Sequence, residues 1–187
     1  MNQKEIIIRC KKNDYAAQLE VYNMCKQMLY NSCYRILKNK EDAEDCMHDA
    51  FIKGFQKIQQ VSDEIHIGAW FRRIAINTSL DKIRKEKHTF WVEESKELEA
   101  EVEEIEIEDA EQISIEFIKE SIHQLKEKYR IILILYLIEN YNHREIAEML
   151  NLKESTVRNQ YARGKKQLAD VLKKYQTNEF KRTYSAQ

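Results

Sequence analysis

Arg158, Asn159, Arg163, Lys165 and Lys166 fall on or beside one outward face of a segment with helical spacing, while Val157, Tyr161, Ala162 and Leu168 point the other way. The chemistry open to such a face is recognition. Arg can donate two hydrogen bonds to guanine, Asn or Gln can bridge adenine, and Lys or Arg neutralises phosphate and releases counterions. From Thr156 to Gln167 there are four basic residues and no acid, so duplex DNA is the expected ligand rather than a merely solvated helix face. Immediately upstream, NHREIAEMLNLKES supplies a partner helix: Ile146, Ala147, Met149 and Leu150 form one apolar stripe, with Arg144, Glu145 and Glu148 on the wet side. The pattern breaks at Asn151, Leu152 is buried in the turn, and Glu154 or Ser155 caps a second helix starting near Ser155. This is a helix-turn-helix with a basic second helix.

The elements that must hold this face are helical throughout. The 187 residues allow one large or two small domains. Proline is absent, there are only three glycines, and 34% of residues are charged, so an all-α fold is expected. The net charge of -1 hides a segregation: between Glu93 and Glu111 eleven acids stand against Lys96 alone. A block that repels itself in this way is expected to be extended or weakly ordered, a linker over residues 91–112 between helical domains at 1–90 and 113–187.

Cys10, Cys25, Cys33 and Cys46 lack the close pairing of a zinc or dithiol site and read as buried reduced thiols. The five histidines are scattered, so neither a metal nor another cofactor is expected. No nucleophile with a base and no phosphate-binding glycine loop stands out, which argues against an enzyme. The strongest apolar run, Ile131 to Ile138, is about half the length a membrane span needs, and the amino terminus has no signal-peptide core. A cytoplasmic protein without membrane insertion is expected.

The amino-terminal block, from about Asn13 to Lys87, shows a long helix with apolar positions at Leu19, Tyr22, Met24, Met28, Leu29, Cys33, Ile36 and Leu37. After a break at 38–40, acids from Glu41 to Asp45 open a second helix that continues through Met47, Ala50, Phe51, Phe55 and Ile58. Beyond a loop at 60–67, AWFRRIAINTSLDKIRKEK forms a third helix, anchored by Trp70, Phe71, Ile74, Ala75 and Leu80 and displaying Arg72, Arg73, Asn77, Lys82, Arg84 and Lys85. Its aromatics are either core anchors or a platform for unstacked bases. A further stripe through Ile115, Ile118, Ile122 and Leu125 leads into the helix-turn-helix.

In this order, EDAEDCMHDAFIKGF, AWFRRIAINTSLDKIRK and the segment from Leu125 to Leu168 resemble the bacterial RNA polymerase sigma factors, specifically the small extracytoplasmic-function branch of the sigma-70 family. The resemblance covers nearly the whole chain and implies two helical domains joined by the acidic linker. It implies that Asp42, Glu44, Asp45, His48 and Asp49 dock on the beta-prime subunit of core polymerase, which also offers its beta subunit. Trp70, Arg72, Arg73, Asn77, Asp81, Arg84 and Lys85 would meet the minus-ten element, with a flipped base held partly by the Gln60 to Ile67 loop. Ser155, Thr156, Arg158, Asn159, Gln160, Arg163, Lys165 and Lys166 would read the minus-thirty-five element in the major groove. The linker would thread the RNA exit path, and an anti-sigma factor would regulate the protein.

The chain departs from the family pattern at Lys126 (commonly Pro), Asn151 (Gly), His48 (Gln), Gln160 (Arg) and Gly164 (Ala). By propensity alone Gly164 weakens its helix by about 1 kcal/mol relative to Ala, and with Gln160 it bears on which promoter is chosen. A stand-alone regulator with an operator-binding helix-turn-helix is the alternative, but it leaves the second basic helix and the acidic face without a purpose.

Overall fold

With so few glycines, the chain makes its left-handed turns mostly with asparagine. Asn13, Asn140 and Asn151, together with Lys38, have φ between 54° and 61°, while all three glycines have negative φ. Asparagine tolerates this region better than other residues with a Cβ, because its short amide bonds to nearby backbone. Three of these positions close one helix just before a capping residue or turn opens the next. The computed structural model describes residues 3–86 and 114–184. It holds eight α-helices and, among the described residues, no strand. The chain divides into two units, Met1–Phe90 and Trp91–Gln187. The acid-rich run from Glu93 to Glu111 lies outside the described residues.

The first unit comprises α1 (Gln3–Lys11), α2 (Tyr15–Leu37), α3 (Lys40–Lys57), a 3-10 turn at Ile58–Gln60 and α4 (Ile67–Glu86). Asp14 caps α2 by accepting from the Ala17 N–H at 3.2 Å, and Arg9 Nε donates to the same carboxylate at 2.8 Å. That guanidinium holds the Asp14 carboxyl below its ordinary pKa. Asn39 caps α3 through the Asp42 N–H at 3.1 Å, which places the acids Glu41 and Asp42 in a first turn whose free N–H groups favour them.

The α2 seam runs through Ala17, Val21, Cys25, Leu29, Cys33 and Ile36, all buried. It packs against Ala43, Met47, Ala50 and Phe51 of α3 and Phe71 and Ala75 of α4. Small residues on facing helices let the axes approach closely, and the larger Phe and Leu fill the remaining volume. Two expected core positions are therefore corrected. Leu19 is 45% exposed and Met24 56% exposed, because both lie off the four-residue seam. All four cysteines are free and buried, and burial pushes the Cys10 thiol up to about 11. Helix α1, absent from the sequence expectation, seats Ile6, Ile7 and Cys10 in the same core.

The second unit comprises α5 (Ile115–Gln124), α6 (Glu127–Leu133), a wider π-type turn at Ile134–Ile138, α7 (His143–Leu150) and α8 (Glu154–Tyr184). Ser114 caps α5 through the Phe117 N–H at 3.2 Å. The run from Ile131 to Leu135 is fully buried, so the most apolar stretch of the chain is core. Among the described residues no helix is long and apolar enough to cross a membrane. Ile115, expected on the apolar stripe, is 65% exposed; the stripe is buried only from Ile122 onward.

Lys126, the N-cap of α6, has φ -55° and ψ 139°, and Leu125 before it is extended at φ -70° and ψ 159°. Proline fits both conformations without strain. Lys126→Pro should raise stability by about 0.4–1 kcal/mol by restricting the unfolded chain, read as a higher urea midpoint at unchanged slope. A lower midpoint would mean that the Lys126 side chain or N–H makes a contact worth more than that entropy.

Candidate nucleic-acid interface

Helix α7 is set by a complete capping box: Glu145 N–H donates to Asn142 Oδ1 and Asn142 N–H to Glu145 Oε2, both at 2.9 Å. Ile146, Ala147, Met149 and Leu150 are all buried, as their spacing requires. Asn151 then closes the helix at φ 54°, taking the left-handed position where glycine is usual. Helix α8 begins at Glu154 and is pinned by Val157, Leu168, Ala169 and Leu172.

Ser155, Thr156, Asn159, Arg163 and Lys166 project from the side of α8 away from that seam, and Arg158 flanks them. Arg158 Nη2 pairs with Glu154 Oε1 at 2.5 Å, one turn back and largely in solvent, a contact weak enough to yield to a base or phosphate. The other two candidates turn toward the protein. Lys165 lies over the Tyr161 ring at 5.8 Å, and Gln160 buries its Oε1 with no hydrogen-bond partner. Gly164 is buried too: a Cβ there would sit 3.3 Å from Leu133 Cδ1 and Tyr129 Cβ, so the glycine allows α8 to approach α6. Its role in packing replaces the expected one of a weak point on a reading face.

An aromatic stack behind α8 was not legible beforehand. His143 stacks on Tyr136 at 4.6 Å and meets the Tyr161 edge at 5.0 Å. Burial, aided by the nearby Arg158 charge, lowers the His143 pKa.

In the first unit, Trp70, Arg73, Asn77, Asp81 and Arg84 share one side of α4, with Lys85 beside them. At about 100° per residue Arg72 falls about 160° from Trp70 and is half-buried, so it does not belong to that stripe. Asp81 is ion-paired with Arg84. Trp70 is half-buried, its ring edge-on to Phe71 at 5.0 Å. It also borders a cleft of about 420 Å³ lined by Lys57, Gln60, Val61, Ser62, Ile65, Trp70 and Ile74. The 60–67 loop is thus brought against the aromatic end of the basic helix. Lys57 and Ile74, which sequence reasoning did not place there, complete the lining.

Of the acidic candidates on α3, Glu44, Asp45, His48 and Asp49 are exposed. Asp42 is half-buried and bound to Lys82 of α4, whose pKa it raises by accepting that hydrogen bond. It ties α3 to α4 through an ion pair. The His48 ring lies parallel to Tyr22 of α2 at 6.4 Å, with Nε2 3.4 Å from the phenol oxygen. One turn from His48 and from Tyr22 respectively, Ile52 and Leu19 expose apolar surface that hydropathy alone assigned to the core or left unremarked.

A basic helix beside a cleft in one unit and a basic helix-turn-helix in the other give the chain two candidate nucleic-acid surfaces. The family descriptions agree: residues 21–89 match sigma-70 region 2 and residues 118–168 match sigma-70 region 4. The chain is 32% identical to the ECF RNA polymerase sigma factor SigW of Bacillus subtilis over 91% of its own length and 96% of that protein's. It is 27% identical to the sigma factor SigV of the same organism, over 75% and 82% of the two chains. Among solved structures, RpoE of Bartonella quintana in complex with the anti-sigma factor NepR shares the fold at TM-score 0.53 and 17% identity, covering 81% of this chain and 94% of that one. CnrH in complex with the cytosolic domain of CnrY does so at TM-score 0.54 and 14% identity, over 92% and 98%. The chain belongs to the extracytoplasmic-function branch of the sigma-70 family, proteins that join core RNA polymerase and direct promoter-specific initiation.

Proposed function

We propose that the two units divide promoter recognition between them. Residues 1–90 dock on core polymerase and take the minus-ten element, residues 113–187 read the minus-thirty-five element, and 91–112 connect them. The cleft beside Trp70 carries this reading, because a stand-alone operator-binding regulator has no use for an aromatic-lined recess at the end of a second basic helix. Arg73 and Asn77 lie on the same side of α4 as Trp70 and engage the non-template strand there, while an extruded base enters the cleft. On α8, Ser155, Thr156, Arg158, Asn159, Arg163 and Lys166 face the major groove; Gln160 and Lys165 support the helix from its flank. No step makes or breaks a covalent bond, and the protein works in the cytoplasm.

Glu44, Asp45, His48 and Asp49 form the polymerase-docking face toward the beta-prime subunit, with Leu19 and Ile52 adding apolar area. An anti-sigma factor competing for that face is the regulator, by extension from the fold's occurrence in a complex so named. Run-off transcription with purified core polymerase tests the whole assignment: the chain should confer initiation at a cognate promoter unaided. Reversing Asp45 and Asp49 to Lys should weaken core binding at least about tenfold, since truncated or reversed charge pairs at interfaces cost about 2 kcal/mol or more. The full chain should keep its melting temperature and its duplex affinity. Equal loss of polymerase and DNA binding would indicate misfolding and count against the docking face.

A further inference from the structure

One wall of the cleft is the 60–67 loop, seated by the buried Val61 and Ile67. Val61, Ser62 and Ile65 line the cleft, yet the backbone bonds within the loop are long: Val61 N–H to Ile58 O at 3.3 Å and Ile65 N–H to Ser62 O at 3.4 Å. Its shorter attachments come from α1. Lys11 Nζ donates to the Val61 carbonyl at 2.5 Å and to Asp63 Oδ1 at 2.6 Å, across 50 and 52 residues of chain. The Lys11 carbonyl in turn accepts from Gln59 Nε2 at 2.5 Å, so one residue holds both the start and the middle of the loop.

Three features make this more than a surface contact. The Lys11 side chain is only 22% exposed and that of Asp63 35%, so water screens the pair only in part. The carbonyl and carboxylate are satisfied together by one ammonium, so moving the loop outward would break both charge-assisted bonds at once. Helix α1 is itself fixed by the buried Ile6, Ile7 and Cys10, which makes Lys11 a rigid anchor rather than a tethered one. Helix α1 also lies outside the region 2 match, which begins at residue 21.

We infer that Lys11 is a positioning residue for base selection: from α1 it fixes the Val61–Asp63 segment that walls the cleft, and so decides which base the cleft admits. The ammonium touches no nucleic acid; it sets the fraction of time the loop spends in the shape that discriminates. This rests on the reading of the cleft as the seat of a flipped minus-ten base.

The test uses the full chain with core polymerase and a library of fork-junction DNA whose non-template strand is randomised across the minus-ten element, with retained sequences counted. Lys11→Met, which keeps the apolar stem and removes the charge, should reduce base preference at a single position by about three- to tenfold, in keeping with a partly screened ion pair and one further charged hydrogen bond. Asp63→Asn should reduce preference at that same position, and the double variant should lose less than the sum of the two. Trp70→Ala, which alters the cleft itself, identifies the position independently. If Trp70→Ala loses a position that Lys11→Met keeps, the positioning role is overturned and the cleft reading stands. If neither variant changes any preference, both fail. A uniform fall across all positions, with weaker core binding, would reduce Lys11 to a structural residue and overturn the inference as well.

Discussion

Trp70→Ala should slow open-complex formation by about one to two orders of magnitude while leaving duplex binding through the second unit unchanged. The indole packs nearly perpendicular to Phe71 and also lines the cleft, so its removal takes away part of a wall and, on this reading, a stacking face. Base stacking on an aromatic ring contributes about 1–3 kcal/mol, and that gain is available only once the base has left the duplex. The loss should therefore appear in the melting step and be small in the initial encounter. Trp70→Phe, which keeps a ring, should recover most of the rate. The sequence left Trp70 as either a core anchor or a base platform, and these variants separate the two: a pure anchor lowers the melting temperature of the first unit and leaves open-complex formation in the surviving fraction unchanged.

The parts of the fold that were legible beforehand depend on local rules. The His143–Leu150 helix, the break at Asn151 and a restart within one residue of the expected Ser155 follow from capping chemistry and a four-position stripe, both local in sequence. What was misread depends on the identity of a packing partner. Leu19 and Met24 are larger than Ala17 and Cys25, but they lie off the α2 seam that faces α3 and α4, so they are left outside. The same holds for polar residues at the candidate sites. Asp42 reads as one more acid on an exposed face until Lys82, forty residues away, is found beside it. Lys11 could not be singled out from a short helix at all, because its partners are 50 and 52 residues further along. Of the two residues taken as clues to promoter choice, Gly164 packs against Leu133 and Tyr129 of α6 and Gln160 buries its Oε1 once α8 is in place.

Gly54→Ala should destabilise the first unit by about 2 kcal/mol, although helix propensity by itself favours Ala by about 1 kcal/mol. A Cβ at this position would meet Phe71 Cε1 at 2.2 Å and Cδ1 at 2.8 Å. Phe71 cannot swing clear, since its ring is fully buried and wedged between Phe51 at 5.2 Å and Phe55 at 5.1 Å. Helix α3 must then move away from α4, loosening the face that carries the polymerase-docking residues as well as the aromatic row leading to Trp70. Calorimetry should show the transition of the first unit lowered by about 8–16 °C, the shift expected for that loss in a domain of this size. Gly164→Ala is the matched control in the other unit, because its Cβ would meet Leu133 and Tyr129 at 3.3 Å, close enough to need only a few tenths of an ångström of relief. There the propensity gain and the packing strain should nearly cancel, leaving stability within about 0.5 kcal/mol of the parent. A stabilised Gly54→Ala would overturn the packing of Phe71 against α3, and a Gly164→Ala loss as large as that expected at Gly54 would show that α6 and α8 cannot yield at all.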